Sequence, residues 1–201
     1  LRSRLQAIAE ELLTAIDREV AEGDEFDLAA HYGEVFPLLS IMEMLGLPAA
    51  DYPKFRVWTK TLLLTSQATS TESAILELSD YLNQQIDARR THASAPDDLL
   101  TGLIFAEAEG DRLSREELLS MVFLLFAAGY ETVANFINSS MLSLLNNLDQ
   151  MRLLRDNLDD PVVVSSAVEE LLRYNSPSYM TLPSWAFEDV ELGGKQIQCG
   201  D

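Results

Sequence analysis

Residues 127–132 read Ala-Ala-Gly-Tyr-Glu-Thr, which sets a glycine, a carboxylate and a hydroxyl close together in an otherwise apolar stretch. An ionisable acid beside an alcohol can relay protons from water to a reacting atom, and a glycine lets a flat ligand or small molecule approach the backbone. These residues are costly inside a helix. Gly129 loses about 1 kcal/mol relative to alanine, and burying Glu131 and Thr132 desolvates polar groups. Thr132 lies one turn beyond Ala128, so its hydroxyl can bond the Ala128 carbonyl and locally open the helical ladder. The plain alternative is a helix crossing at Gly129 with Glu131 turned to solvent.

The element that positions these residues is legible from its start signal. Ser114 and Glu117 form a Ser-x-x-Glu capping box ahead of Leu118, Leu119 and the unbroken run 121–128. The apolar pattern resumes at Val133, Phe136, Ile137, Met141, Leu144 and Leu145, and no proline intervenes before Pro161. This predicts one helix over about 115–147, on the order of 50 Å long at about 1.5 Å per residue and buried on most sides. The apolar run falls short of the roughly 20 residues that span a bilayer, and Glu131 interrupts it, so a core helix is expected.

A second motif follows at 167–173, Ala-Val-Glu-Glu-Leu-Leu-Arg, succeeded by Tyr-Asn-Ser-Pro. Glu170 and Arg173 share a helix face and can pair, while Val164, Val168, Leu171 and Leu172 form an apolar stripe that ends at Pro177. Such a pair alone carries little information, since exposed helices contain many. Order supplies the specificity. An Ala-Gly-x-Glu-Thr helix, a short helical linker, Val-Glu-Glu-Leu-Leu-Arg-Tyr-x-Ser-Pro and then Glu-Asp-Val-Glu-Leu-Gly-Gly resembles the bacterial cytochromes P-450. The stretch 41–48, Ile-Met-Glu-Met-Leu-Gly-Leu-Pro, and Asp97-Asp98-Leu99-Leu100 are similar to further segments of that family, as is the helix at 1–20 ahead of Phe26-Asp27-Leu28.

The resemblance implies a mainly α fold, the central part of a heme-binding domain, with chain 1–201 as a single partial domain. It implies that Glu131 and Thr132 are the acid–alcohol pair that delivers protons to iron-bound dioxygen, with Ala128 and Gly129 forming the oxygen and heme groove. It gives Glu170 and Arg173 the role of a structural ion pair. Leu124 and Leu125, with Tyr179, Met180 and Thr181, correspond to segments that line the substrate pocket. The implied parent is a heme b monooxygenase that hydroxylates a small, largely apolar organic substrate. Its electrons come from NAD(P)H through a ferredoxin or flavodoxin-type redox partner.

Two features depart from the family pattern. A heme-thiolate enzyme needs an axial cysteine, whereas the one cysteine here, Cys199, stands in Gln-Cys-Gly-Asp without the Phe-x-x-Gly loop that precedes the family's ligand. No metal ligand is therefore assigned in this chain, and it is read as an internal fragment with no heme binding of its own. Ser184 stands where the family commonly has an arginine that pairs with a heme propionate, and a serine cannot replace a bidentate guanidinium. That departure supports an alternative, a heme-free homologue acting as an auxiliary partner of a glycosyltransferase. Retention of Glu131 and Thr132 favours the enzyme.

Composition narrows the classes further. A net charge of −19 argues against nucleic-acid binding, which needs clustered Lys and Arg. The hydrophobic fraction of 47% suits one substantial core, no signal peptide is visible, and a single cysteine suits a reducing compartment; the resemblance to bacterial members of the family implies a cytoplasmic setting without a membrane anchor. His31 and His92 lack flanking patterns and are expected at the surface. Apolar stripes mark helices at 5–20, after Pro37, at 55–63 and at 75–86, the last two corresponding to the family's mobile lid. Residues 67–73, rich in Ser and Thr, are expected to form either their hinge loop or a plain surface loop. Strands are expected only at 185–192 and 195–198, joined by the Gly193-Gly194 turn.

Overall fold

The structure is a computed structural model that describes residues 1–21, 23–64, 68–91, 96–108, 111–178 and 185–201. Its axis is α6 (Arg115–Asn146), whose start is the predicted capping box: the Glu117 amide donates to Ser114 Oγ at 3.2 Å and the Ser114 amide to Glu117 Oε2 at 2.8 Å. Ahead of it come α1 (Arg2–Glu19), a π turn at Ala29–Gly33, α2 (Val35–Met44), α3 (Tyr52–Leu64), α4 (Ala68–Thr91) and α5 (Leu99–Phe105). After it come α7 (Leu148–Arg155) and α8 (Pro161–Tyr174), the latter capped by Asp160, whose carboxylate accepts from the Val162 amide at 2.8 Å.

One core joins these helices. Leu38, Ile41, Met42 and Leu45 of α2 meet Phe55 and Trp58 of α3, Leu78, Leu82 and Ile86 of α4, and Leu118, Val122 and Phe126 of α6. The 3.6-residue spacing of these side chains places each set on one helix face. Phe55 anchors the aromatic part, with its ring centroid 5.1 Å from Trp58, 5.2 Å from Tyr81 and 5.0 Å from Phe126.

The end of α2 shows how a few residues fix several elements. Gly46, at φ +65°, lets the Leu47 amide donate to the Met42 carbonyl and the Gly46 amide to the Glu43 carbonyl, a Schellman cap. Arg89, near the end of α4, donates to the Gly46 carbonyl at 2.7 Å and to Asp98 Oδ2 at 3.0 Å. Asp98 in turn caps α5 by accepting from the Thr101 amide at 2.7 Å. Three helix ends thus meet at one guanidinium.

Several expectations are corrected. Gln67 lies outside the described residues, and 68–73 is not a hinge loop, because α4 is already helical from Ala68, and Ala74 and Leu78 behind it are buried against the core. The C-terminal strands are shorter than expected: Val190–Leu192 (β3) pairs antiparallel with Lys195–Ile197 (β4), and 185–189 lies outside the ladder. The turn between them is the predicted one, with Gly193 and Gly194 at φ +57° and +76°. A small hairpin that the sequence did not announce pairs Glu107–Ala108 (β1) with Asp111–Arg112 (β2).

The helix α6 is also less buried than expected. Its most apolar 18-residue window has a mean hydropathy of 1.5, enough by length and composition to cross a membrane, yet only 28% of that window is buried. Its contacts with α2, α4, α5, α7 and α8 place it at the centre of the helical array. Met121, Leu124, Ala128, Asn135 and Leu142 are nevertheless exposed, so that side of α6 is open among the described residues.

Candidate functional site: the open face of the central helix

At about 100° per residue, Leu118, Val122 and Phe126 turn to the core while Met121, Leu124, Ala128, Asn135 and Leu142 fall on the other side of α6. The first three are buried and the second five exposed, Leu124 at 52%. Glu131 and Thr132, three and four residues beyond Ala128, flank it on that open side. The sequence motif therefore stands at the middle of an apolar strip one helix wide.

Thr132 Oγ1 donates to the Ala128 carbonyl at 2.5 Å, and α6 runs through this point without interruption. The expected bond is present, and it forms without breaking the helix. Because the hydroxyl hydrogen is committed to Ala128, the oxygen lone pairs of Thr132 remain available to accept. Glu131 is exposed and makes no hydrogen bond or ion pair with the described residues. Among the described residues its side of α6 is uncovered, so they do not supply the burial anticipated from the apolar surroundings.

Gly129 faces the other way. A β-carbon there would stand 3.2 Å from Ile41 Cδ1, so this glycine marks the crossing of α6 over α2. Leu125 is likewise turned inward, half-buried against the core, which leaves Leu124 as the predicted pocket residue on the open face. Tyr179, Met180 and Thr181, and the departure at Ser184, lie outside the described residues, as does His92. His31 is on the surface side, its Nδ1 2.7 Å from the Asp27 carbonyl oxygen.

Glu170 and Arg173 form the predicted pair in bidentate geometry, with Nε to Oε2 and Nη2 to Oε1 both at 2.7 Å. The guanidinium holds the Glu170 carboxyl below its ordinary value. Both side chains are largely exposed, and Glu170 lines a cleft of about 610 Å³ between α6, α7 and α8 together with Leu153, Val162, Ala167 and Tyr174 among others. Ser143 of α6 ties α8 in place by donating to Asn175 Oδ1 at 3.0 Å.

Cys199 is exposed on the C-terminal hairpin segment, where its thiol donates to the Phe187 carbonyl at 3.2 Å and its amide to Asp189 Oδ1 at 2.8 Å. Among the described residues no group of three or more His, Cys, Asp or Glu could hold a metal ion. The functional geometry is thus a helix face bearing a hydroxyl, a carboxylate and a one-carbon side chain, with a charged pair on a later helix.

The cytochrome P-450 family model matches residues 38–201. The chain belongs to the cytochrome P-450 family. It is 38% identical over 205 residues to cytochrome P-450 CYP107DY1 of Priestia megaterium, a match covering 100% of this chain and 48% of that protein. It is 36% identical over 203 residues to the polyketide biosynthesis cytochrome P-450 PksS of Bacillus subtilis, again with 100% and 48% covered. The PksS structure superposes with a TM-score of 0.86, covering 100% of this chain and 50% of that one. The myxobacterial cytochrome P-450 CYP267B1, solved with myristic acid, superposes at 0.82 with 39% identity, covering 100% and 48%. The chain spans about half the length of the relatives it matches.

Three residues that fix the surrounding geometry, Ile41, Arg89 and Asp98, had no role assigned from the sequence. Ile41 was seen only as part of a family-like segment, and its approach to Gly129 across helices leaves no local signal. Arg89 and Asp98 pair across nine positions that hold no helical spacing, so only the fold brings them together.

Proposed function

We propose that the protein to which this chain belongs is a heme-dependent monooxygenase, and that the open face of α6 is the side of its site where dioxygen is handled. The observation that carries the reading is the Thr132 hydroxyl bound to the Ala128 carbonyl at 2.5 Å, with Glu131 unpaired beside it.

The residues fit a heme on that face. An exposed apolar strip around Leu124 and Ala128 suits a flat, largely apolar macrocycle, and the single methyl of Ala128 leaves room beside it for a small molecule. Heme b, when bound, supplies the iron that activates dioxygen with electrons delivered from NAD(P)H through a ferredoxin or flavodoxin-type partner. Cys199, exposed and donating to the Phe187 carbonyl, is not assigned as a ligand to the iron that such a heme would carry.

The chain's own residues then manage the protons. Thr132, with its hydrogen held by Ala128, accepts a hydrogen bond from a water in the groove and aims that water's second hydrogen at the reacting oxygen. Glu131, open to solvent, exchanges protons with bulk water and resupplies the relay. Leu124 and Ala128 keep other water out. Glu170 and Arg173 act at a distance by holding α8 in one geometry. The substrate is a small, largely apolar organic molecule, in keeping with the polyketide association in the name of PksS and the myristic acid bound by CYP267B1. The setting is cytoplasmic.

The whole protein, reduced and treated with carbon monoxide, should show the red-shifted Soret band of a thiolate-ligated heme. A protein that takes up no heme under conditions that load its relatives would overturn the enzyme and favour an auxiliary role.

A further inference from the structure

The contact between Gly129 and α2 bears on the placement of Thr132. A β-carbon on Gly129 would lie 3.2 Å from Ile41 Cδ1 and 3.8 Å from Ile41 Cγ1, with no other heavy atom of the described residues outside its own helix within 4 Å. The shorter distance is inside the optimal carbon–carbon separation of about 3.5–4.0 Å. Ile41 or the backbone of α6 must give by a few tenths of an ångström to admit any side chain at this position.

Ile41 is poorly able to yield. It is buried within the core, and its carbonyl accepts from the Leu45 amide at 3.1 Å in the last turn of α2. That turn is closed by the Schellman cap and held from outside by Arg89, which donates to the Gly46 carbonyl at 2.7 Å and to the Leu45 carbonyl at 3.4 Å. A methyl at position 129 therefore displaces α6 rather than α2. The displaced segment includes the Ala128 carbonyl and the Thr132 hydroxyl.

We infer that Ile41 is a positioning residue for the Thr132–Ala128 pair, acting through Gly129, whose missing side chain serves the helix crossing and not the open face. The inference rests on the oxygen-handling role given to that face above. It assigns Gly129 to the face opposite the groove that the sequence motif suggested.

The test uses the whole, heme-loaded protein as G129A, I41V and the double variant. Valine lacks Cδ1, the atom at 3.2 Å, and keeps the ordinary contact at 3.8 Å. In the wild-type background G129A should lower Tm. It should also cut product formed per NAD(P)H consumed by about twofold or more, with peroxide making up the difference, since a misplacement of about 1 Å can cost on the order of 100-fold. In the I41V background the sign should reverse: the double variant melts above I41V, because alanine's better helix propensity is no longer opposed. Its coupling should return to the I41V level.

Reversal of the Tm effect without recovery of coupling would show that Gly129 acts on the open face, and would overturn the inference. An equal Tm change in both backgrounds would overturn it as well. Failure of the underlying reading has a different signature, a protein without heme or a T132A variant with unchanged coupling. The Tm comparison still reports on the contact in those cases.

Discussion

Arg89 and Asp98 pair at 3.0 Å with side chains only 6% and 7% exposed, and through them the ends of α2, α4 and α5 are joined. Removing one member of a buried pair strands the other charge, which costs about 3–5 kcal/mol. Arg89→Met in the whole protein should lower the urea midpoint accordingly. Asp98→Ala should cost at least as much, since it also removes the α5 cap, worth about 1 kcal/mol. A loss below about 1 kcal/mol for both would show that the hub does not hold these helix ends.

The aromatic cluster makes a separate prediction. Phe55, 1% exposed, stacks on Phe126 of α6 and meets Trp58 and Tyr81 edge-on, so it couples α3, α4 and α6. Phe55→Ala should destabilise by about 3–5 kcal/mol. Phe55→Leu should cost less, about 1–2 kcal/mol, because much of the volume is kept. Chemical denaturation measures both, and equal, small losses would contradict the packing described.

Much of this architecture was written in local signals, and what was missed depends on contacts between distant residues. Ser114 with Glu117 marked the start of α6, and Gly193-Gly194 marked the final turn, because capping and positive φ are decided within a few residues. The depth of burial of Glu131 was misjudged because apolar neighbours in sequence say nothing about which side of a helix is covered. Ser and Thr before Ala74 suggested a loop, but packing of α4 against the core outweighs their weak propensities. In the candidate site the Thr132–Ala128 bond and the Glu170–Arg173 pair were legible from spacing. The direction of Gly129 was not, since only α2 reveals it.

The Asp51–Tyr81 contact links stability to pH. Lys54 and Tyr81 both donate to Asp51 at 2.8 Å and hold its carboxyl below the ordinary value of 3.8, against a smaller opposing effect of burial. A lowered carboxyl pKa contributes stability that is present above the unfolded value and is lost as pH falls through the folded one. Burial, and then the bond to Asp51, raise the Tyr81 phenol above its ordinary value of 10.0. That contribution is present below the unfolded value and is lost as pH rises through the folded one. Tyr81→Phe should therefore flatten the fall in urea midpoint both from pH 7 to about pH 3 and above about pH 10. Slopes identical to those of the wild type would refute the coupling.

The most direct test of the central claim is the coupling of Thr132→Ala in the whole protein, scored as product and peroxide formed per NAD(P)H oxidised. In the proposed function the hydroxyl that rests on the Ala128 carbonyl orders the proton relay, so its loss should leave electron consumption running while product falls and peroxide rises. Unchanged coupling, with the same product yield per NAD(P)H as the wild type, would contradict the role of this helix face.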